Sequence, residues 1–329
     1  MTSPTPGFSA RSLTLDAAAE VGRIGAALRR QLRELRRKGV VLGLSGGIDS
    51  SVTAALAVQA LGPDRVFGIL MPEADSDPES LTLGRLLADH LGIEAVVEDI
   101  APALEALGCY RRRHEAVRSV IPEYTPEWKF KLVLPGPDHQ GFNYFSVVAR
   151  SPEGLEVRQR LPLDAYLKIL AATNFKQRVR KTLEYYYADR LNFAVAGTPN
   201  RLEYDQGFFV KQGDGAADLK PIAHLYKTQV YQLAAHLDIP ESIRRRPPTT
   251  DTYSLPQGQD EFYFSLPYES LDLCLYGMNH GLDAATVAEA AGLSESQVLL
   301  AYKDIETKRS TTRYGHLKPL LVEDIPDVG

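Results

Sequence analysis

The segment Ser45-Gly46-Gly47-Ile48-Asp49-Ser50-Ser51 holds the residues best suited to chemistry. It follows a short apolar run, Val40-Val41-Leu42-Gly43-Leu44, and leads into the helical run Val52–Leu61. A strand, a glycine turn and a helix start put several backbone N–H groups at the positive end of a helix dipole, which suits an oxyanion. Gly46 and Gly47 let the backbone approach that anion, and Ser45, Ser50 and Ser51 can donate hydroxyls. Asp49 would repel a bound phosphate unless a cation lay between them. Mg2+ is the natural cation, because it takes carboxylate and phosphate oxygens together. The loop lacks the Lys of GxxxxGK[ST], and the chain has no GxGxxG. The plain alternative is a strand-to-helix turn in which Asp49 and Ser50 only cap the helix.

The surrounding elements must position this loop. Val21, Ile24, Leu28, Leu32 and Leu35 recur at steps of three and four, which predicts an amphipathic helix stopped by Gly39. Arg29, Arg30, Arg33, Arg36, Arg37 and Lys38 crowd its end, where cations suit the helix dipole. Val66–Leu70 and Ala95–Val97 predict further strands, with a helix over 79–91 between them. This alternation predicts an α/β fold, a doubly wound parallel sheet with flanking helices. The pattern then breaks. Residues 129–134, 142–149 and 155–161 read as strands between Pro/Gly turns, so 108–163 is expected to be an inserted β-ribbon. Residues 165–190 return to helix, and Asn192–Ala196 supply another strand. Gly197–Tyr226 reads as loop, and the chain is helical from Lys227 except for a polar stretch at 247–267. The whole, 1–329, reads as a single domain with a flexible tail at 1–12.

Composition narrows the function classes. The 329 residues carry 37 Lys+Arg against 42 Asp+Glu, a net charge of −5, which argues against binding nucleic acid through its phosphate backbone. Cys109 and Cys274 form no CxxC, which rules out a disulfide framework or a thiolate zinc site and points to a reducing compartment. No apolar run nears the ~18 residues of a membrane span, and no signal peptide opens the sequence, so a cytoplasmic protein is expected. Residues 283–302 look superficially like a helix-turn-helix. The segment Glu295–Tyr302 offers almost no basic or amide side chain except Gln297, so two packed helices are the better reading.

The full SGGIDSS, directly after an apolar strand, resembles the PP-loop of ATP pyrophosphatases, which cleave ATP between its α- and β-phosphates. Further segments resemble the NAD synthetase branch of that superfamily: Ile69–Pro72 with Ser76, Pro78, Glu79 and Ser80; Asn174–Arg178; Gly197-Thr198-x-Asn200-x-x-Glu203; Gly207–Asp218; Leu225–Gln229; and Pro248–Asp251. The resemblance spans residues 20–107 and 164–320, and it implies a sheet of the adenine nucleotide alpha hydrolase type. It implies that the carboxylate of deamido-NAD attacks the ATP α-phosphate, and that ammonia then displaces AMP to give NAD. The chain looks too short for the glutaminase domain of glutamine-fed relatives, so free ammonia is the expected nitrogen source, unless a separate glutaminase partner delivers it. The resemblance also implies a homodimer.

Carried over residue by residue, the resemblance makes Asp49 and Glu203 the metal carboxylates for Mg2+. It makes Gly43, Leu44, Ser45, Gly46, Gly47, Ile48, Asp49, Ser50, Arg85, Thr198, Lys227 and Thr249 the ATP set, and Arg178, Lys211, Asp214, Asp218 and Lys308 the deamido-NAD set. Asp49, Glu203, Lys227 and Arg246 form the catalytic group. Taken alone, Glu203 reads as a surface acid at a helix start and Lys227 as a solvated lysine. Arg246 stands where the family usually has Lys, and Thr307 where relatives often have His, with Lys308 reaching in from a flexible tail. The competing readings are a related PP-loop amide synthetase acting on another carboxylic acid or on tRNA, a DNA-binding module, and a nucleotide-binding regulator that has lost activity. A tRNA enzyme would usually show paired catalytic cysteines or a basic face, and this chain has neither.

Overall fold

A strand such as Val40–Gly43, with no polar side chain, has to be covered on both faces. The computed structural model, which describes residues 7–134, 145–249, 252–258, 260–264, 266–323 and 325, shows how this is done. Helix α1 (Ala17–Glu34) leads into strand β1 (Val40–Gly43), helix α2 (Ile48–Leu61), strand β2 (Val66–Leu70), helix α3 (Pro78–Leu91) and strand β3 (Glu94–Val97). Helices α4 (Ala101–Ala106) and α5 (Cys109–Arg118) follow, then strands β4 (Lys129–Val133), β5 (Ser146–Arg150) and β6 (Glu156–Arg160). Helix α6 (Leu163–Leu191) returns the chain to strand β7 (Ala194–Val195). Helices α7 (Arg201–Gln206), α8 (Lys227–His236), α9 (Glu241–Arg245), α10 (Tyr268–Asn279), α11 (Ala284–Ala291) and α12 (Glu295–His316) complete it.

Strands β3, β2, β1 and β7 form one parallel sheet in that order. Side chains alternate across it. Val40, Leu42, Val66 and Ala194 join a core with α1, α2, α3 and α8, whereas Val41, Phe67, Ile69 and Val195 join a second core with α4, α5 and α6. The expected doubly wound sheet is therefore present. Successive strands add on one side of β1 until β7 adds on the other. Such a reversal opens a crevice at the carboxyl ends of the two strands, the usual ligand position in open α/β sheets.

Several expected boundaries change. Residues 108–163 are not all ribbon: α5 occupies the start, because Cys109, Tyr110 and Val117 pack against the sheet core and the insertion core. Strands β4, β5 and β6 do form an antiparallel sheet, and 142–144 of the second expected strand lie outside the described residues. The expected loop from Gly197 to Tyr226 contains α7, begun by a capping box between Asn200 and Glu203. The tail expected at 1–12 shortens as well. Residues 10–13 form a 3-10 turn with Leu13 buried, and Phe8 stacks on Tyr276, whereas 1–6 lie outside the described residues. A single π-helical turn, Asp260–Phe264, interrupts the polar stretch. Helix α1 ends before Gly39, with Arg36 at a φ of 55°. Two arginines of the expected basic cluster bond elsewhere, Arg29 to the Ala60 carbonyl and Arg37, beyond the helix, to Asn192 Oδ1. No described helix is long and apolar enough to cross a membrane.

A buried ion cluster ties the insertion to the sheet. Lys176 Nζ of α6 donates to Glu73 Oε1 at 2.8 Å, Asp75 Oδ2 at 2.7 Å and the Thr252 carbonyl at 2.7 Å. Arg113 of α5 also donates to Asp75, and Tyr110 OH donates to Glu73 Oε2 at 2.8 Å. Two cations and two carboxylates balance, so removing one leaves an uncompensated buried charge. Lys176→Met is expected to destabilise the protein by roughly 3–5 kcal/mol. Thermal unfolding checks this, and an unchanged Tm would contradict it.

Candidate active site

The crevice between β1 and β7 opens into a cavity of about 780 Å3. Its first wall is the turn after β1. Gly46 adopts φ +70°, and a Cβ there would lie 2.6 Å from the Ser80 carbonyl oxygen, so only glycine fits. Gly47 stands at the N-cap of α2 without a capping side chain, which leaves the first N–H groups of the helix facing outward. Ser50 Oγ lies 3.0 Å from Ser45 Oγ, and Ser51 Oγ donates to the Gly47 carbonyl at 2.8 Å. These bonds hold the turn in shape.

Asp49 sits on the first turn of α2 and joins three elements. Lys227 Nζ, at the first residue of α8, pairs with Asp49 Oδ2. Asn200 Nδ2 donates to Asp49 Oδ1 at 3.2 Å. Asn200 also accepts from the Glu203 amide at 3.2 Å, while Glu203 Oε2 accepts from the Asn200 amide at 3.1 Å. This capping box points Glu203 at the same cavity as Asp49. The start of α8 is fixed by Asp272 of α10, whose Oδ1 and Oδ2 accept from the Lys227 and Thr228 amides at 3.2 and 2.7 Å.

The electrostatics follow from this crowding. Burial first, and the Asp49 charge second, push Glu203 up to about 8. Burial works to lower the Lys227 ammonium, but the charges of Asp49 and Glu203 outweigh that and hold it above its usual range. Two adjacent carboxylates offer only oxygen donors. That matches Mg2+, which takes one or two protein carboxylates and completes its shell with water and phosphate oxygens. A pH effect follows. Between about 4.3, the free carboxylate value, and about 8, folded Glu203 keeps a proton that the unfolded chain has released. Stability contributed this way falls as pH rises through that window. In metal-free buffer the wild type should lose more Tm from pH 5 to 8 than Glu203→Gln, and parallel profiles would contradict this.

Most of the residues picked from the sequence line the cavity: Ser45, Gly47, Ile48, Asp49, Ser50, Arg178, Thr198, Glu203, Lys211, Asp214, Lys227, Arg246, Thr249 and Lys308. Arg246 Nη2 donates to Ser80 Oγ at 2.9 Å and pairs with Asp77 at the head of α3. Arg178 Nε donates to the Lys211 carbonyl at 3.3 Å, and Lys211 Nζ in turn donates to the Tyr314 carbonyl near the end of α12 at 2.8 Å. Asp214 Oδ1 accepts from the Val210 amide at 2.8 Å and closes the glycine-rich loop. Lys308 lies on a regular helix, not a flexible tail, and pairs with Asp304 Oδ2 at 2.6 Å.

Five positions do not line the cavity. Gly43 and Leu44 lie inside the sheet layer, and Gly46 acts through its backbone turn. Arg85 is exposed, because α3 turns Leu83, Gly84 and Leu87 inward instead. Asp218 accepts from the Val195 amide at 2.8 Å and so holds β7. Thr250 and Asp251 lie outside the described residues. Sequence reasoning missed Asn200, Asp272 and Lys176 as supports of the site. The spacing of Asn200 and Glu203 was the available signal for the first.

Residues 20–119 and 156–314 match the family model described as NAD synthase. The chain belongs to the NAD synthase family. It is 62% identical to the NH(3)-dependent NAD(+) synthetase of Rhizobium meliloti over 98% of this chain and 96% of that protein. Two solved structures share the fold of this NAD synthase family member. NMN synthetase from Francisella tularensis matches with a TM-score of 0.65 and 22% identity over 94% of this chain and 99% of that one. NH3-dependent NAD synthetase from Campylobacter jejuni, in complex with the nitrate ion, matches with a TM-score of 0.61 and 21% identity over 94% and 100%. The family model skips 120–155, which contains β4 and β5.

Proposed function

We propose that the protein is an ammonia-dependent NAD synthetase. It joins the carboxylate of deamido-NAD to the AMP portion of ATP, releases pyrophosphate, and lets ammonia displace AMP to give NAD. The observation that carries this reading is the convergence of Asp49, Glu203 and Lys227 at the uncapped start of α2, in a chain 62% identical to a protein of that name.

The chain's own residues supply most of the chemistry. The N–H groups after Gly47, with the Ser45 and Ser50 hydroxyls, bind phosphate oxygens and cost no reorganisation when charge develops. Lys227 meets the negative charge that grows on the α-phosphate as the leaving group departs. Asp49 keeps Lys227 charged and in place, and Asn200 fixes the Asp49 carboxylate. Asp49 and Glu203 would hold Mg2+, which supplies charge neutralisation of the leaving pyrophosphate. Arg246 and Thr249 line the ATP side. Arg178, Lys211, Asp214 and Lys308 line the side that takes the acid substrate. The acyl-adenylate must be shielded from water until ammonia arrives, which suits a deep cavity.

The product assay tests the proposal. Incubation with ATP, Mg2+, ammonia and deamido-NAD should yield AMP, pyrophosphate and NAD in equal amounts. Absence of NAD, with turnover of another acid, would replace deamido-NAD as the substrate. Action in the cytoplasm as a homodimer belongs to the same proposal, supported by the two buried free thiols, which suit a reducing compartment, and by the family.

A further inference from the structure

One wall of the cavity comes from the stretch that the family model skips. Leu134, just after β4, and Phe145, just before β5, line it. Phe145 stacks on Tyr166 of α6, with ring centres 4.6 Å apart and planes 12° apart, and lies 5.8 Å from Phe262. These rings belong to the core of the insertion, not to the core beneath the phosphate-binding turn. The cavity therefore bridges two cores. One side carries the uncapped helix start, Asp49 and Lys227; the other carries rings.

Two buried hydroxyls stand at the ring side. Thr173 and Tyr253 are 5% and 4% exposed, and both line the cavity. They are neighbours within reach of one another, and among the described residues neither Thr173 Oγ1 nor Tyr253 OH meets any other polar partner. Two buried hydroxyls with only each other leave a donor and acceptor lone pairs unused, and a ligand atom that satisfied them would be favoured. Rings for stacking, together with hydroxyls for edge contacts, make a recognition surface for a flat heterocycle. The reacting carboxylate and the ATP phosphates must lie at the other side, beside Lys227.

We propose that the insertion builds a base subsite, in which Phe145 stacks on the adenine at the end of the dinucleotide remote from the reacting carboxylate, while Thr173 and Tyr253 hydrogen-bond its edge. The assignment rests on the function proposed above. It makes the insertion the element that favours a dinucleotide acid over the corresponding mononucleotide.

The test compares steady-state amidation of deamido-NAD with that of nicotinate mononucleotide, which lacks the adenosine. Phe145→Ala should raise KM for the dinucleotide about tenfold, since base stacking on an aromatic ring is worth that much or more. KM for ATP and turnover of the mononucleotide should stay as in the wild type. Phe145→Trp should restore the dinucleotide KM. Tyr253→Phe, which removes only an oxygen, should raise the same KM several-fold, and it decides the matter if Phe145→Ala fails to fold. An unchanged dinucleotide KM in Tyr253→Phe and in any folded Phe145→Ala would overturn the subsite. An equal loss with both acids would overturn it too, and a rise in KM for ATP alone would give the wall to the other nucleotide. If the wild type makes no NAD from deamido-NAD, the proposed function itself fails, an outcome distinct from all of these.

Discussion

Asp49→Asn is expected to lower kcat/KM for NAD formation at least about a hundredfold, or roughly 3 kcal/mol of transition-state stabilisation. The substitution keeps the shape of the side chain and a carbonyl oxygen for Asn200 Nδ2, 3.2 Å away in the native protein. What it removes is charge. Lys227 then loses its direct ion-pair partner, and the cation site keeps one carboxylate, Glu203. Both changes act where pyrophosphate departs, so the loss should fall on kcat more than on KM for deamido-NAD. Pyrophosphate release measured at several Mg2+ concentrations checks this. The variant should need more Mg2+ for half-maximal rate, and full activity at ordinary Mg2+ would show that the Asp49 charge has no part in the reaction.

The parts of this site legible in the sequence are those whose signal is local. SGGIDSS carries its own turn, helix start and carboxylate, and the short apolar runs at 40–44 and 66–70 had to be covered strands. Glu203 and Lys227 lie in segments dense in glycine and polar residues, and single residues there say little by themselves. Their meeting with Asp49 depends on β7 adding beside β1, a pairing that no local pattern encodes. Asp272 is harder still. Its carboxylate caps α8 from a helix 45 residues further on, and an Asp within an otherwise apolar helical run gives no sign of such a role. Arg85 shows the opposite error. Its position after β2 suited a nucleotide contact, but only the packing of α3 decides which way the side chain points, and Leu83 and Leu87 take the inner face. The insertion was visible as a break in the β/α alternation. Its contribution to the cavity was not, because Phe145 reaches the site only through the packing of the small sheet on α6.

Lys227→Met separates charge from packing. Methionine fills most of the lysine stem, and the Asp272 bonds to the α8 amides involve the backbone and survive. The variant leaves Asp49 and Glu203 side by side without the ammonium that now balances them. Two carboxylates in that position resist joint ionisation, so the proton already favoured on Glu203 will be held more firmly. Stability should consequently go on falling above about pH 8, where the wild type levels off, because the native state still retains a proton that the unfolded chain has released. Added Mg2+ should recover that stability by supplying positive charge to both carboxylates. Activity should not recover with it. The charge that develops on the α-phosphate is met by the Lys227 ammonium, and a cation held by Asp49 and Glu203 serves the leaving pyrophosphate instead. A loss of kcat of about a hundredfold or more, persisting at saturating Mg2+ while Tm returns, is the expected pair of results. Recovery of both together would mean that Lys227 serves only to keep the two carboxylates apart.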